Sequence, residues 1–179
     1  STEGVLSAGK PHPRSYGTNP RFIQKFVNEK KLVSIQEAIR KMTSMPAQRL
    51  GLTNRGRLTP GYAADIVIMD LPNVEEKATF VDPHQYPEGI THVIVNGEIV
   101  IKDGNYTGKT SGQMITKFNS WKENTMDKIE IKNATIIDGL GGDPYVGNLY
   151  LNNGKIIAMT HGDSLVSDIS IDAFGKIVT

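Results

Sequence analysis

Two segments of this chain place an Asn-Gly dipeptide between apolar runs rich in β-branched residues, and they constrain the possible folds more than any other feature. Asn96-Gly97 lies within residues 92–101, and Asn153-Gly154 lies within residues 149–158. Asn-Gly tolerates the positive φ angles of the two-residue turn that matches the twist of paired strands. Each segment therefore predicts a β-hairpin.

Further short apolar runs predict additional strands. They occupy residues 64–70, 129–138 and 169–179, and the intervening segments show no helical pattern. Because an isolated hairpin is marginally stable in water, we expect the strands before Thr110 and those after Met126 to share one sheet. The sequence predicts a mainly β fold, either an antiparallel sandwich or an open barrel.

Helical patterns lie N-terminal to these strands. Asn19-Pro20 opens a first segment whose apolar residues follow helical spacing. Ser34 precedes a second segment and has Glu37 three residues later, which is the pattern of a reciprocal capping box. Residues 43–51 predict a third, short helix, with Leu50 facing the core.

The composition is that of an ordinary globular protein. The 179 residues are 38% hydrophobic and 22% charged, and the formal net charge of +1 gives no electrostatic reason to expect nucleic acid or a membrane as a partner. No apolar run reaches the roughly 18 residues of a membrane span, and no signal-peptide pattern opens the sequence, so we expect a cytoplasmic location. The absence of cysteine excludes disulfides and thiolate metal ligands within this chain.

The first residues carry a resemblance to a known family. Thr2-Glu3-Gly4 followed by His12-Pro13-Arg14 resembles the end of the catalytic barrel in the N-acyl-D-amino-acid deacylases, or D-aminoacylases, which are metal-dependent amidohydrolases. In that family the Asp of a Thr/Ser-Asp-Gly motif is the catalytic carboxylate, and the Arg of His-Pro-Arg binds the carboxylate of the substrate. The resemblance implies that Glu3, which stands where the family has Asp, is catalytic and that Arg14 binds substrate.

The second half of the chain resembles the opening of the same family. Motifs at residues 133–139, 153–156 and 171–179 match the segment that precedes the barrel in those enzymes. The family segments therefore stand in inverted order, with the C-terminal part first and most of the catalytic barrel missing. The resemblance implies a small amidohydrolase-type β-sandwich domain with residual barrel helices, divided into the end of the barrel (1–52), the family's C-terminal β-domain part (53–110), a junction (111–128) and the family's N-terminal β-domain part (129–179).

In function, the resemblance implies a zinc-dependent deacylase that hydrolyses the amide of an N-acyl-D-amino acid. The amidohydrolase barrel would be supplied in cis or in trans, and zinc would belong to the complete enzyme. The four histidines form no His-x-His or His-x-x-x-His pair, so no residue here is assigned to a metal, and we expect this chain alone to be catalytically inert and to bind no zinc. The alternatives are convergence of the four histidines in space, and a stand-alone non-catalytic β binding module.

Residues 82–89 contain His84 and Glu88, which could be read as a catalytic pair. Two prolines and a glycine in the same stretch favour a rigid surface turn instead. We therefore assign this segment a structural role.

Overall fold

The computed structural model describes residues 9–115, 126–163 and 165–179. The predicted junction at 111–128 lies mostly outside the described residues, as does Glu3. The two predicted β segments and the predicted helices lie within them.

Helices occupy the N-terminal part of the described chain. They are α1 (Arg14–Phe22), which continues into a π-helical segment (Ile23–Glu29), then α2 (Ile35–Met42) and α3 (Ser44–Arg49), with one 3₁₀ turn further on at Leu71–Asn73. Each of these helices, in the part of the chain that the structure describes, is too short or too polar to cross a membrane.

The described residues contain nine strands, all joined in one sheet. They are β1 (Ile66–Met69), β2 (Ile90–Val95), β3 (Glu98–Lys102), β4 (Asn105–Tyr106), β5 (Ile129–Ile136), β6 (Tyr145–Asn152), β7 (Lys155–Thr160), β8 (Ile169–Asp172) and β9 (Ile177–Val178). The hydrogen-bonded order is β4-β3-β2-β1-β9-β5-β6-β7, and β8 pairs with the first half of β5. The predicted fold class, mainly β with a helical N-terminal part, is confirmed.

Both Asn-Gly turns form as predicted. Asn96 and Gly97 have φ angles of 51° and 82°, and Asn153 and Gly154 have φ angles of 47° and 76°. The first turn joins antiparallel strands β2 and β3, and the second joins antiparallel strands β6 and β7. Two consecutive positive φ angles are the geometry for which Asn-Gly is suited.

The predicted antiparallel arrangement is wrong for two strands. β8 and β9 run parallel to β5, whereas the pairs along the rest of the sheet are antiparallel. A period-two pattern is the same in either direction, so the sequence marks a strand without giving its orientation. β8 returns to the sheet through a connection longer than a tight turn, and such a connection permits either direction.

Strand β9 joins the two halves of the chain. It lies between β1 and β5, with Val178 opposite Ile68 on one side and opposite Ile136 on the other. Val67 and Thr179 then exchange two backbone hydrogen bonds of 2.7 and 3.0 Å. The expectation that both halves share one sheet is confirmed.

The two faces of the sheet carry separate hydrophobic clusters. Ile66 and Ile68 of β1 belong to a cluster that includes residues of β5, β6 and β7. Met69 belongs to a second cluster, with Ile23 of the π-helical segment and Ile39 of α2. Alternate residues of a strand face opposite sides, so β1 contributes to both clusters. The second cluster fixes the helices on the sheet.

Helix α1 begins at Arg14, before the predicted start at Asn19-Pro20. Pro13 immediately precedes the helix, where the missing N–H of a proline costs no helical hydrogen bond. Pro20 lies inside α1, where it removes one such bond, and the backbone widens into the π-helical form from Ile23. Each proline is compatible with a helix start, and local sequence does not choose between them.

Helix α2 begins after Ser34 as predicted, and the Glu37 backbone N–H donates to Ser34 Oγ at 3.3 Å. The reciprocal half of the capping box does not form, because the Glu37 carboxylate accepts two hydrogen bonds from Arg40 at 2.6 and 2.8 Å. These bonds lower the pKa of Glu37 to about 2. The prediction that Leu50 faces the core is wrong: it is 74% exposed, just beyond the end of α3.

Candidate functional site

Arg14 is the first residue of α1, and its backbone is fixed by the turn before it. Its N–H donates to Nδ1 of His12 at 3.1 Å, and its carbonyl accepts from the Thr18 hydroxyl at 2.7 Å. The residue is exposed, and its guanidinium makes no ion pair with another described residue. The backbone is therefore held in place, and no described acidic group compensates the charge of the side chain.

The Arg14 side chain borders an open cavity of about 650 Å³, which we call the Arg14 cavity. Arg14, Arg21 and Glu76 are its charged lining residues. The remaining lining residues are uncharged or weakly basic, namely His12, Pro13, Thr18, Ala78, Thr79 and Phe80. Small-molecule sites typically have volumes of about 300–1,000 Å³ with a few polar groups placed on a mostly apolar wall. The size of the Arg14 cavity, and its lining by two arginines and one glutamate, are compatible with a small organic anion.

A loop formed by residues 75–88 builds one wall of this cavity. Its ends are paired through two backbone hydrogen bonds between Glu75 and Glu88, at 3.0 and 3.3 Å. Within the loop, the Phe80 ring packs edge-on against His12, with ring centroids 5.0 Å apart. The Tyr86 ring packs in the same way on Tyr16 of α1, at 5.7 Å.

His84 connects the 75–88 loop to residues that lie before and after Arg14 in the chain. Its Nε2 lies 3.2 Å from the Gly9 carbonyl, and its Nδ1 lies 3.0 Å from the Tyr16 hydroxyl. A carbonyl can only accept, so the tautomer assigned from these partners is the one in which Nε2–H donates to Gly9 and Nδ1 accepts from Tyr16. Glu88 instead pairs with Lys77 at 3.1 Å. His84 and Glu88 have separate partners, in keeping with the structural role assigned to this segment.

Glu76 connects the loop to α1 and was not singled out in the sequence. Its carboxylate lies 2.9 Å from Arg21, and its side chain is only 8% exposed. Its backbone N–H donates to Oε1 of Gln24 at 3.1 Å. A Cβ on Gly17 would lie 2.4 Å from Glu76 Oε1, so the side chain rests directly on the helix backbone. Gly17 was the available signal, because a glycine inside a helix often marks the close approach of another group.

The described histidines do not form a metal centre. His12 and His84 lie at the Arg14 cavity and its adjoining loop, His92 lies on β2 beside Asp103 at 3.6 Å, and His161 lies near Tyr145 beyond β7. Within residues 9–115, 126–163 and 165–179, no three His, Cys, Asp or Glu side chains come together in a way that could hold a metal ion. The donors present there do not fit zinc, and we assign no metal ligand among these residues.

A sequence model of the amidohydrolase family matches residues 8–101, a little more than half of the chain. The matched stretch includes Arg14, the 75–88 loop and strands β1 and β2. The chain therefore belongs to the amidohydrolase family. Strands β5 to β9 lie beyond the match, so the inverted order of the two family segments stays a prediction.

Individual relatives narrow the similarity to the D-aminoacylase family. The N-acyl-D-aspartate deacylase of Alcaligenes xylosoxydans xylosoxydans is 45% identical over 115 residues, which are 64% of this chain and 23% of that protein. A crystal structure of D-aminoacylase is 40% identical, with a TM-score of 0.54 over 56% of this chain and 21% of its own. This similarity confirms the predicted family.

A third similar protein carries a metal. The crystal structure of N-acyl-D-glutamate deacylase from Bordetella bronchiseptica, complexed with zinc and a phosphonate mimic of the tetrahedral intermediate, is 37% identical with a TM-score of 0.50. The match covers 54% of this chain and 21% of that structure. The chain thus spans less than a quarter of the length of the relatives it matches, and it corresponds to part of such a protein.

Proposed function

We propose that this chain supplies the carboxylate-binding part of a zinc-dependent N-acyl-D-amino-acid deacylase, which hydrolyses the amide to a carboxylate and a free D-amino acid. The observation that carries the proposal is the placement of Arg14. It stands in the family's His-Pro-Arg motif, at the start of a helix, on a cavity of about 650 Å³, and its guanidinium makes no ion pair with a described residue.

In this proposal Arg14 holds the free carboxylate of the N-acyl-D-amino acid. A guanidinium presents two parallel N–H donors that match the two oxygens of a carboxylate, which fixes the orientation of the substrate as well as binding it. His12 and Thr18 hold the Arg14 backbone, so the side chain that carries the guanidinium extends from a fixed position. The amide to be cleaved would then lie at a defined distance from this anchor.

Glu3 is proposed to move the proton. In amide hydrolysis water adds to the acyl carbon, the C–N bond breaks, and the leaving nitrogen must gain a proton. A carboxylate within hydrogen-bond reach can accept the proton from water and pass it to the nitrogen. Glu3 stands at the position of the family's catalytic carboxylate, and this role rests on the motif alone.

The metal and its ligands are proposed to belong to an amidohydrolase barrel, supplied in cis or in trans. In amide hydrolysis a bound zinc ion activates water and polarises the acyl oxygen. The described residues of this chain bring no suitable set of donors together. We therefore propose that the chain by itself does not catalyse the reaction.

Carboxylate binding can be tested on this chain without the barrel. In ¹H–¹⁵N spectra of the arginine Nε–H groups, titration with N-acetyl-D-alanine should shift the Arg14 signal. Arg14→Ala should abolish the binding, and Arg49→Ala, which removes an exposed arginine at the end of α3, should leave it unchanged. An Arg14 signal that stays unchanged up to high millimolar ligand would contradict the proposal.

Catalysis is tested separately. With added zinc, the chain should release no D-alanine from N-acetyl-D-alanine, and release should begin when the missing barrel is supplied. The alternative function is a non-catalytic binding module, which is compatible with the hydrophobic cluster that strands from both halves of the chain share. Ligand binding at Arg14 without hydrolysis, even in the presence of a folded barrel, would select that alternative.

A further inference from the structure

The Arg14 cavity contains two guanidiniums, and they are in different electrostatic situations. Arg21 is paired with Glu76 at 2.9 Å, whereas Arg14 makes no ion pair with a described residue. The side chain of Arg21 is 58% exposed, so Glu76 restrains its charged end without burying it. Among the described lining residues, one positive charge is compensated and one is not.

Glu76 is restrained by two contacts of its own and by the pairing that closes the loop beside it. Its carboxylate rests on the backbone of α1 at Gly17, where no side chain intervenes. Its backbone N–H is fixed by Gln24 from the following turn of the helical segment. Residue 76 also follows directly on Glu75, whose pairing with Glu88 closes the 75–88 loop. The Glu76 carboxylate therefore has little freedom to turn away from Arg21.

We propose that Glu76 is a positioning residue that makes the Arg14 cavity a site for one carboxylate. It pairs with Arg21 of α1 and compensates the charge of that side chain, so that Arg14 presents the one uncompensated charge of the described lining to the ligand. This inference rests on the proposed carboxylate-binding function of Arg14. Without Glu76, Arg21 becomes a second uncompensated cation on the same cavity, and a ligand with two carboxylates can contact both guanidiniums.

The test compares a ligand that has one carboxylate with a ligand that has two. For the unmodified chain, the dissociation constants of N-acetyl-D-alanine and N-acetyl-D-glutamate, followed through the Arg14 signal, should differ by less than about twofold. For Glu76→Gln, N-acetyl-D-glutamate should bind about threefold more tightly than N-acetyl-D-alanine, since exposed ion pairs contribute weakly. The Arg21 signal should then shift together with that of Arg14.

Two further variants isolate the cause. Glu75→Gln is the matched control. It removes the neighbouring carboxylate, which pairs with Lys77 and does not line the Arg14 cavity. It should leave both dissociation constants unchanged. Adding Arg21→Gln to Glu76→Gln should remove the gain for N-acetyl-D-glutamate. If Glu76→Gln does not fold, Glu76→Asp, which withdraws the carboxylate by one methylene, should show a smaller gain of the same sign.

The outcomes separate this inference from the proposed function. One outcome is that the ligands bind at Arg14 while the ratio of their two dissociation constants stays unchanged in every folded Glu76 variant. That result would overturn the role of Glu76 and leave the proposed function standing. A gain for N-acetyl-D-glutamate that survives Arg21→Gln would also overturn it, because the second cation would then be another residue. If neither ligand shifts the Arg14 signal, both the role of Glu76 and the proposed function are overturned.

Discussion

The backbones of Gly97 and Gly154 are in contact: a Cβ on Gly97 would lie 2.4 Å from the Cα of Gly154. Each is the second residue of an Asn-Gly turn, and the two turns come from different halves of the chain. Ala64 connects them, since its carbonyl accepts from the Gly97 N–H at 2.9 Å and its N–H donates to the Gly154 carbonyl at 2.8 Å. The hairpins are thus locked together at their turns as well as through the sheet.

Gly97→Ala should destabilise the protein strongly, because the new methyl group meets the Gly154 backbone and the φ angle of 82° disfavours alanine. We expect a loss of about 2–4 kcal/mol in the free energy of unfolding, measured by urea denaturation. Gly104→Ala is the matched control. Gly104 has a similar φ angle of 76°, and a Cβ placed there would lie 4.0 Å from the Ile90 carbonyl oxygen, so a loss of about 1 kcal/mol is expected. Equal losses for the two variants would mean that the contact between the turns contributes nothing.

His92 should make stability depend on pH. It is buried on β2, and burial lowers its pKa despite the opposing attraction of Asp103. The unfolded chain therefore binds a proton more readily than the folded one, so stability is complete above the ordinary histidine pKa of about 6.5 and falls as pH drops below it. We expect His92→Gln to reduce the loss between pH 7.5 and pH 5.0 by up to about 1 kcal/mol. A profile unaffected by His92→Gln would contradict this prediction.

The two halves of the chain should unfold together. Ile66 on β1 and Ile131 on β5 are buried in the same cluster, although they come from different halves. Ile66→Ala and Ile131→Ala should each cost about 2–5 kcal/mol and should shift one common transition, seen identically by circular dichroism and by fluorescence. Two separate transitions, each sensitive to only one of the substitutions, would refute a shared core.

The proposed active-site residues should act on different kinetic parameters once a barrel completes the enzyme. Arg14→Ala should lower kcat/KM at least tenfold, because a charge-assisted bidentate contact contributes on the order of 1.5–3 kcal/mol. Glu3→Gln should lower kcat and leave substrate binding largely intact, since an amide cannot carry the proton. Glu3→Asp, which restores the family's residue, should retain or raise activity. Full turnover by Glu3→Gln would show that the role proposed from the motif is wrong.

The sequence by itself determined the local features of this protein. The turns at Asn96-Gly97 and Asn153-Gly154 need positive φ angles that few other residue pairs tolerate, so they could be located without a structure. The cap of α2 at Ser34 depends on an oxygen and an N–H three residues apart. Arg14 was found through a motif of consecutive residues. Each of these depends on neighbours along the chain.

Only the tertiary structure decided which distant segments meet. β9 inserts between β1 and β5, parallel to one and antiparallel to the other, and no strand pattern carries that information. The pairing of Glu76 with Arg21 spans 55 residues and depends on the 75–88 loop folding onto α1. Such contacts depend on the packing of apolar faces that many arrangements could bury, so the choice among them belongs to the whole chain and not to any short stretch of it.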